Sequence, residues 1–275
     1  MGSEQYAARK PKQAISQLSQ AEAKISSQLV GEVDKTFETL YLRQDDMLKL
    51  KAVLHLFHNK RAHLKKLGLP YRLGIMLSGL PGTGKSSTIA CIAHFLNRNI
   101  YYISLKEIQS DDELLRVVSF VNQQGNGVIV FEEIERNCPW LVCTAEYLRT
   151  LPKPATQDEV HGSKLTLECL LNVLQGSLSV SSSVFCATTN NLGSLEPALF
   201  RSGRFDLNID MKLCGRWMVG QIDQSFMNRS LPEHLLHQVP EDVLTCSDVM
   251  FALSPLIYSD KSDAEIVQQI LAIKS

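Results

Sequence analysis

The stretch Gly79-Leu80-Pro81-Gly82-Thr83-Gly84-Lys85-Ser86-Ser87 fits G-x-x-x-x-G-K-[ST], and its flanks constrain the fold more than any other part of the chain. Leu73-Gly74-Ile75-Met76-Leu77-Ser78 before it is an apolar run suited to a buried parallel strand. Residues 88–96 behind it have the apolar spacing of a helix. Strand, glycine loop and helix in that order make a phosphate-binding loop. The glycines let the backbone curl until successive N–H groups point at one spot, and the helix N-terminus adds partial positive charge there. Lys85 is placed to reach the β- and γ-phosphates of ATP, and the Ser86 hydroxyl to help hold Mg²⁺. The expected nucleotide-binding set is Gly79, Pro81, Gly82, Thr83, Gly84, Lys85, Ser86 and Ser87.

Further strands and helices alternate along the chain. Residues 100–105, 128–131, 183–188 and 205–211 read as strands. Helices are expected from about Asp46, after Ser110-Asp111-Asp112-Glu113, and over residues 165–174. Such alternation predicts an α/β fold, a P-loop core whose parallel five-stranded sheet lies between helices. Residues 35–42 alternate enough to suggest one more short strand. The first 35 residues are polar and read as a tail or a marginal helix carrying Ile15, Leu18, Ile25 and Leu29. Residues 136–164 look like a loop-rich insertion, and the last sixty or so like short helices. The expected division is a tail over 1–35, a core over 36–212 and a small helical lid over 213–275.

A phosphate loop alone only binds, whereas hydrolysis needs a water held in line with the γ-phosphate. The apolar run 128–131 ends in Glu132-Glu133, a Walker B arrangement that delivers two carboxylates to the strand end facing the phosphates. Glu132 is assigned to Mg²⁺ and its water shell, Glu133 to polarising the attacking water, and Glu135 to solvent or a neighbouring subunit. Asn190, at the tip of the strand 183–188, could hydrogen-bond the γ-phosphate or that water. Arg201 and Arg204 flank a Ser-Gly turn and carry the forked donors that suit phosphate.

Composition narrows the partners. A formal net charge of −1 gives no global electrostatic case for nucleic acid or a membrane surface. Lys60, Arg61, Lys65 and Lys66 read as the solvated face of a helix. No apolar run is long enough to span a bilayer, and the polar N-terminus has no signal-peptide core. The seven cysteines are odd in number and lack paired C-x-x-C spacing, so they read as reduced thiols of a cytoplasmic or other reducing compartment.

The segment from Ala187 to Asp206 closely resembles the second region of homology of the AAA ATPases, A-T-N-x-x-x-x-L-D-P-A-L-x-R-P-G-R-x-D. On that resemblance Asn190 falls on sensor 1, and Arg201 and Arg204 on the two arginine fingers that reach a neighbouring subunit's nucleotide. Pro70-Tyr71-Arg72, Lys85-Ser86-Ser87, Thr188-Thr189-Asn190, residues 165–172 and the Glu at 132 resemble the Bcs-one-like branch, whose mitochondrial member is the chaperone for the Rieske iron–sulfur protein. The resemblance covers roughly residues 36–255. It implies a homo-oligomeric ring that hydrolyses ATP with Mg²⁺ at subunit interfaces and remodels a protein client.

Several positions depart from the pattern. Leu80 and Ser202 stand where prolines are usual, and Glu196 where Asp is usual. The mitochondrial member carries a transmembrane helix and a substrate domain, for which this chain shows no room, so Rieske-protein translocation is not carried over. Residues 106–113 lack the aromatic-hydrophobic-Gly pore loop of threading unfoldases. A DNA-associated ATPase, a P-loop kinase and a nucleotide-switched scaffold remain as rival readings. The kinase would not need Asn190 or the Arg201/Arg204 pair.

Overall fold

Side chains along the central strands alternate between two separate apolar clusters, so one sheet is covered on both faces. The computed structural model describes residues 25–28, 35–68, 71–125, 127–142, 165–175, 183–201, 203–258 and 261–274. Its strands are β1 (Ile25–Gln28), β2 (Arg72–Ser78), β3 (Asn99–Ile103), β4 (Gly127–Phe131), β5 (Ser183–Thr189) and β6 (Leu207–Asp210). Their order in the sheet is β1-β3-β4-β5-β2-β6. The pairs β3–β4, β4–β5, β5–β2 and β2–β6 are all parallel. The five expected parallel strands are therefore present.

Two expectations at the edges are corrected. β1 adds a sixth, antiparallel strand against β3, where the sequence had suggested a tail or marginal helix. Ile25 is the one strongly apolar residue in Ile25-Ser26-Ser27-Gln28, so no period-2 signal marked it. Ile15 and Leu18, also assigned to that helix, lie outside the described residues, as does Leu29. Residues 35–42, expected as a strand, form a turn and an irregular segment in which the Thr39 N–H donates to the Thr36 carbonyl at 3.2 Å. Leu40 and Leu42 are buried there, and Phe37 meets the edge of Phe95 at 5.5 Å between centroids. The alternation reflects burial; among the described residues no strand pairs with this segment.

The helices are α1 (Gln44–Asn59), α2 (Arg61–Lys66), α3 (Lys85–Leu96), α4 (Asp111–Gln123), α5 (Ile134–Asn137) and α6 (Leu167–Gln175). After β6 come α7 (Arg216–Met227), α8 (Glu233–Leu236), α9 (Cys246–Leu253) and α10 (Asp263–Leu271). One sheet face buries Val128 and Val130 of β4 with Val184 and Cys186 of β5, under Leu50, Leu54 and Phe57 of α1 and Ile89 and Ile92 of α3. The other buries Ile129, Phe131, Phe185 and Ala187 under Leu114, Val117 and Val121 of α4 and Leu170, Val173 and Leu174 of α6. α4 begins as expected: the Ser110 hydroxyl accepts from the Glu113 N–H at 3.3 Å, with Asp111, Asp112 and Glu113 in the first turn.

The helices beyond β6 share a third cluster of their own, built on Met218, Val219, Ile222, Val249, Leu253, Ile266 and Ile270. The described cysteines 91, 138, 169, 186, 214 and 246 are all buried and free, and no three His, Cys, Asp or Glu side chains cluster as metal ligands among the described residues. No helix among the described residues is long and apolar enough to cross a membrane.

Asp223 of α7 lies fully buried beside that third cluster. Burial pushes its carboxyl up to about 6, opposed by Arg229 and reinforced by Asp263. A carboxyl raised in the folded state contributes stability below its ordinary value of 3.8, and that stability is lost as pH rises through about 6. Asp223→Asn, uncharged at every pH, should therefore be more stable than the parent at pH 7.5, by on the order of 2 kcal/mol. The gain should shrink toward zero near pH 4. Thermal unfolding followed across that range checks it, and a difference independent of pH would contradict the assignment.

Candidate active site

Parallel pairing brings the C-terminal ends of β2, β5 and β4 side by side, and the site grows from those three ends. β2 runs directly into the loop 79–84. Gly79, Gly82 and Gly84 there have φ of 145°, 81° and 99°, conformations open to glycine and strained for other residues. The loop is also tightly enclosed. A Cβ on Gly79 would lie 2.4 Å from the Met211 carbonyl oxygen, and one on Gly82 would lie 2.9 Å from the Thr245 hydroxyl. The Gly79 N–H donates to the Thr189 carbonyl at 3.1 Å, pinning the loop to the end of β5. α3 starts at Lys85 directly behind it, as the sequence implied.

Lys85 folds back over this loop. Its Nζ donates to the carbonyl of Gly79, to that of Leu80 at 3.0 Å, and to Asn190 Oδ1 at 3.1 Å. Burial lowers the pKa of its ammonium, while Glu135 and then Glu133 push it back up. Lys85 and Asn190, two of the expected site residues, thus meet directly, at the tips of adjacent elements.

β4 ends in Glu132 and Glu133. Glu133 has φ of 43°, a left-handed conformation uncommon for a residue with a side chain, and residues held that way often sit at functional sites. Its N–H donates to the Thr188 hydroxyl at 2.9 Å, which fixes the kink, and its carboxylate lies 3.4 Å from Arg136. The Glu132 carbonyl accepts from the Asn137 side chain at 2.6 Å. Partial shielding from water, with Glu133 beside it, raises the Glu132 carboxyl above its ordinary value. Hard oxygen donors at Ser86 and Glu132 are the kind Mg²⁺ takes.

Glu135 differs from its sequence expectation. It is fully buried, and its Oε1 accepts from the Asn190 N–H at 2.8 Å. Its Oε2 has no hydrogen-bond partner among the described residues. A carboxylate two residues past the Walker B pair looks like loop charge in sequence, because the short helix α5 that turns it inward has no periodic signal of its own. The second missed feature is the start of α9. The Ser247 N–H donates to the Gly82 carbonyl at 3.0 Å, so the helices after β6 close over the loop. Thr245 and Asp248 form a capping box there, and Thr245-x-x-Asp248 was its one visible trace.

Arg201 and Arg204 do not join this group. Arg201 is exposed, and the Arg204 guanidinium leans back onto the Ala198 carbonyl. The Arg204 carbonyl packs on Gly74, where an added Cβ would lie 1.9 Å from it. Gly74 precedes Gly79 by five residues, so the turn is anchored roughly 17 Å along β2 from the phosphate loop of its own chain.

Glu135→Ala leaves the half-buried Asn190 N–H without its acceptor, a loss of about 1–3 kcal/mol. Phosphate release from ATP should fall about tenfold or more. Glu135→Gln keeps an acceptor oxygen and should recover most of the rate; equal loss in both variants would make the charge, and not the placement of Asn190, the decisive property.

Residues 75–213 match the family model described as the ATPase family associated with various cellular activities (AAA). The protein described as "AAA-ATPase ASD, mitochondrial" of Arabidopsis thaliana is 32% identical over 204 residues, covering 69% of this chain and 39% of its own length. A second AAA-ATPase of that plant is 35% identical over 188 residues, 65% of this chain and 39% of its own length. A third is 29% identical over 256 residues, 86% of this chain and 48% of its own. The chain thus spans between about two fifths and half of the length of these relatives. With the glycine loop, Glu132, Glu133 and Asn190 at the C-terminal ends of adjacent parallel strands, the family match establishes that this chain belongs to the AAA family of ATPases.

Proposed function

We propose that the chain is a Mg²⁺-dependent, ring-forming AAA ATPase of the Bcs-one-like branch, which remodels a protein client by hydrolysing ATP between neighbouring copies. The observation that carries this reading is the split in the site. Lys85, Glu132, Glu133 and Asn190 gather at one end of the sheet, while Arg201 and Arg204 hang from the other half of β2. A second copy packed against the first would bring its arginines to this phosphate loop.

In that arrangement Lys85 leaves the Gly79 and Leu80 carbonyls for the β- and γ-phosphates. Ser86 and Glu132 hold Mg²⁺, which when bound neutralises developing charge on the phosphates. Glu133 orients and polarises the attacking water, and Asn190 holds that water or the γ-phosphate. Arg201 and Arg204 of the next copy stabilise the transition state. Residues 36–212 act as the core and 213–275 as a lid, a division supported by the separate apolar cluster of the C-terminal helices and by the Ser247–Gly82 contact. The buried free thiols support a reducing compartment.

An arginine supplied in trans is worth about 10³ to 10⁵ in rate in related phosphoryl-transfer systems. Specific ATPase activity should therefore rise with protein concentration through the assembly range. Arg201→Ala and Arg204→Ala should each slow turnover by about a hundredfold or more while ATP still binds. Activity per subunit that stays constant on dilution to monomer would refute the shared site.

The raised carboxyl of Glu132 adds a pH signature. It takes up its proton at a higher pH than an ordinary glutamate, so metal binding weakens as pH falls through that raised value. Turnover at limiting Mg²⁺ should decline on acidification and recover when Mg²⁺ is added. In Glu132→Gln the Mg²⁺ requirement should rise at every pH, and its dependence on pH should be lost.

A further inference from the structure

Arg72 stands at the first position of β2, away from the phosphate loop, yet it is among the most heavily bonded side chains of the structure. Its side chain is only 6% exposed. One terminal nitrogen donates to the Leu174 carbonyl at 2.8 Å and to the Arg204 carbonyl at 2.7 Å. The other donates to both carboxylate oxygens of Asp206, at 3.0 and 3.1 Å. Asp206 is tied to the same strand in turn: its Oδ2 accepts from the Gly74 N–H at 2.8 Å, and its own N–H donates to the Gly74 carbonyl at 2.8 Å. Gly74 must lack a side chain because the Arg204 carbonyl occupies the space a Cβ would take.

We infer that Arg72, acting through Asp206 and the Arg204 carbonyl, is a positioning residue that sets the Arg201–Arg204 turn for use by the neighbouring copy. The inference rests on the shared-site reading above and adds to it the residue that aims the arginines. A guanidinium fork can bind Asp206 through one nitrogen and two backbone carbonyls through the other; an ammonium cannot hold all of these in one plane. Mobile arginines on a surface turn would lose much of their value, since misplacement by about 1 Å can cost on the order of a hundredfold in rate. The lock also joins two sites mechanically. β2 carries its own chain's phosphate loop at one end and the lent arginines at the other, so a shift of either end reaches the neighbour through one strand.

The test uses mixed assemblies of full-length chains. Arg72→Gln alone should lower kcat by about 10- to 100-fold, with the affinity for ATP changed less than about twofold. Mixed with Lys85→Ala subunits, whose arginine turns are intact and whose own phosphate loops are dead, it should regain activity well above the sum of the two alone. Damage confined to the Arg72→Gln subunit's own phosphate loop would not be rescued this way. Arg201→Ala/Arg204→Ala mixed with Lys85→Ala is the control for the shared site. If the control regains activity and Arg72→Gln does not, the positioning role is overturned and the shared site stands. If the control also stays inactive, the shared site fails and the inference falls with it. Asp206→Asn covers the case in which Arg72→Gln does not fold, because it keeps an acceptor for the Gly74 N–H while weakening the pair with Arg72. It should show a smaller loss with the same rescue, and full activity in it would overturn the role.

Discussion

The position of β2 between β5 and β6 is the constraint on which the rest of the site depends. Seven residues of β2 pair in register with β5, from Arg72 opposite Ser183 to Ser78 opposite Thr189. That register places the start of the phosphate loop level with Thr189 and Asn190, which is why Lys85 can meet Asn190 without any long loop to bring them together. Pairing of β5 with β4 does the same for Phe131 and Ala187, and so for Glu133 and Thr188 just beyond them. Parallel strands put like ends together, and a slip of one residue would turn every side chain to the opposite face. Three short segments far apart in sequence thus become one site through backbone geometry, with side-chain chemistry added afterwards.

Much of this was legible in the sequence because it rests on local patterns. Apolar runs of strand length marked β2, β4 and β5, and glycine spacing marked the loop. The Ser110 cap with its acidic turn marked α4. What was not legible depends on contacts between distant segments. Glu135 reads as loop charge until α5 turns it under Asn190. Residues 35–42 alternate like a strand because Leu40 and Leu42 are buried against helices, and burial alone leaves the same pattern as pairing. β1 escaped for the converse reason, since it pairs through its backbone and offers only one strongly apolar side chain. Residues 143–164, most of the expected insertion, lie outside the described residues, so the loop-rich reading there stands on sequence alone.

The contact between α9 and Gly82 adds a link that no motif announces. The capping box of Thr245 and Asp248 fixes the first turn of α9, and the next N–H in that turn is spent on the Gly82 carbonyl. A rearrangement of the loop around a nucleotide would therefore be felt at the start of α9, and through it by the cluster of Val249, Leu253 and Ile266. Coupling of this kind needs only a few hydrogen bonds, provided that both sides are rigid, and the packed third cluster supplies that rigidity on its side.

Lys85 shows how the site avoids the cost of an unbalanced charge. Its ammonium lies partly out of water, an environment that disfavours the charged form. Carbonyls of Gly79 and Leu80 and the Asn190 amide oxygen satisfy its donors, and Glu135 and Glu133 lend opposing charge. The three oxygens that accept its hydrogen bonds are all neutral, and each is a weaker acceptor than a phosphate oxygen. On the proposed function, a bound nucleotide would exchange these moderate hydrogen bonds for charge-assisted ones and would release Asn190 from Lys85. The freed amide would then face, at the strand tip, the place proposed for the γ-phosphate or its attacking water. Binding by Lys85 and readiness of Asn190 would then be one event, because the hydrogen bond between them holds each to the other.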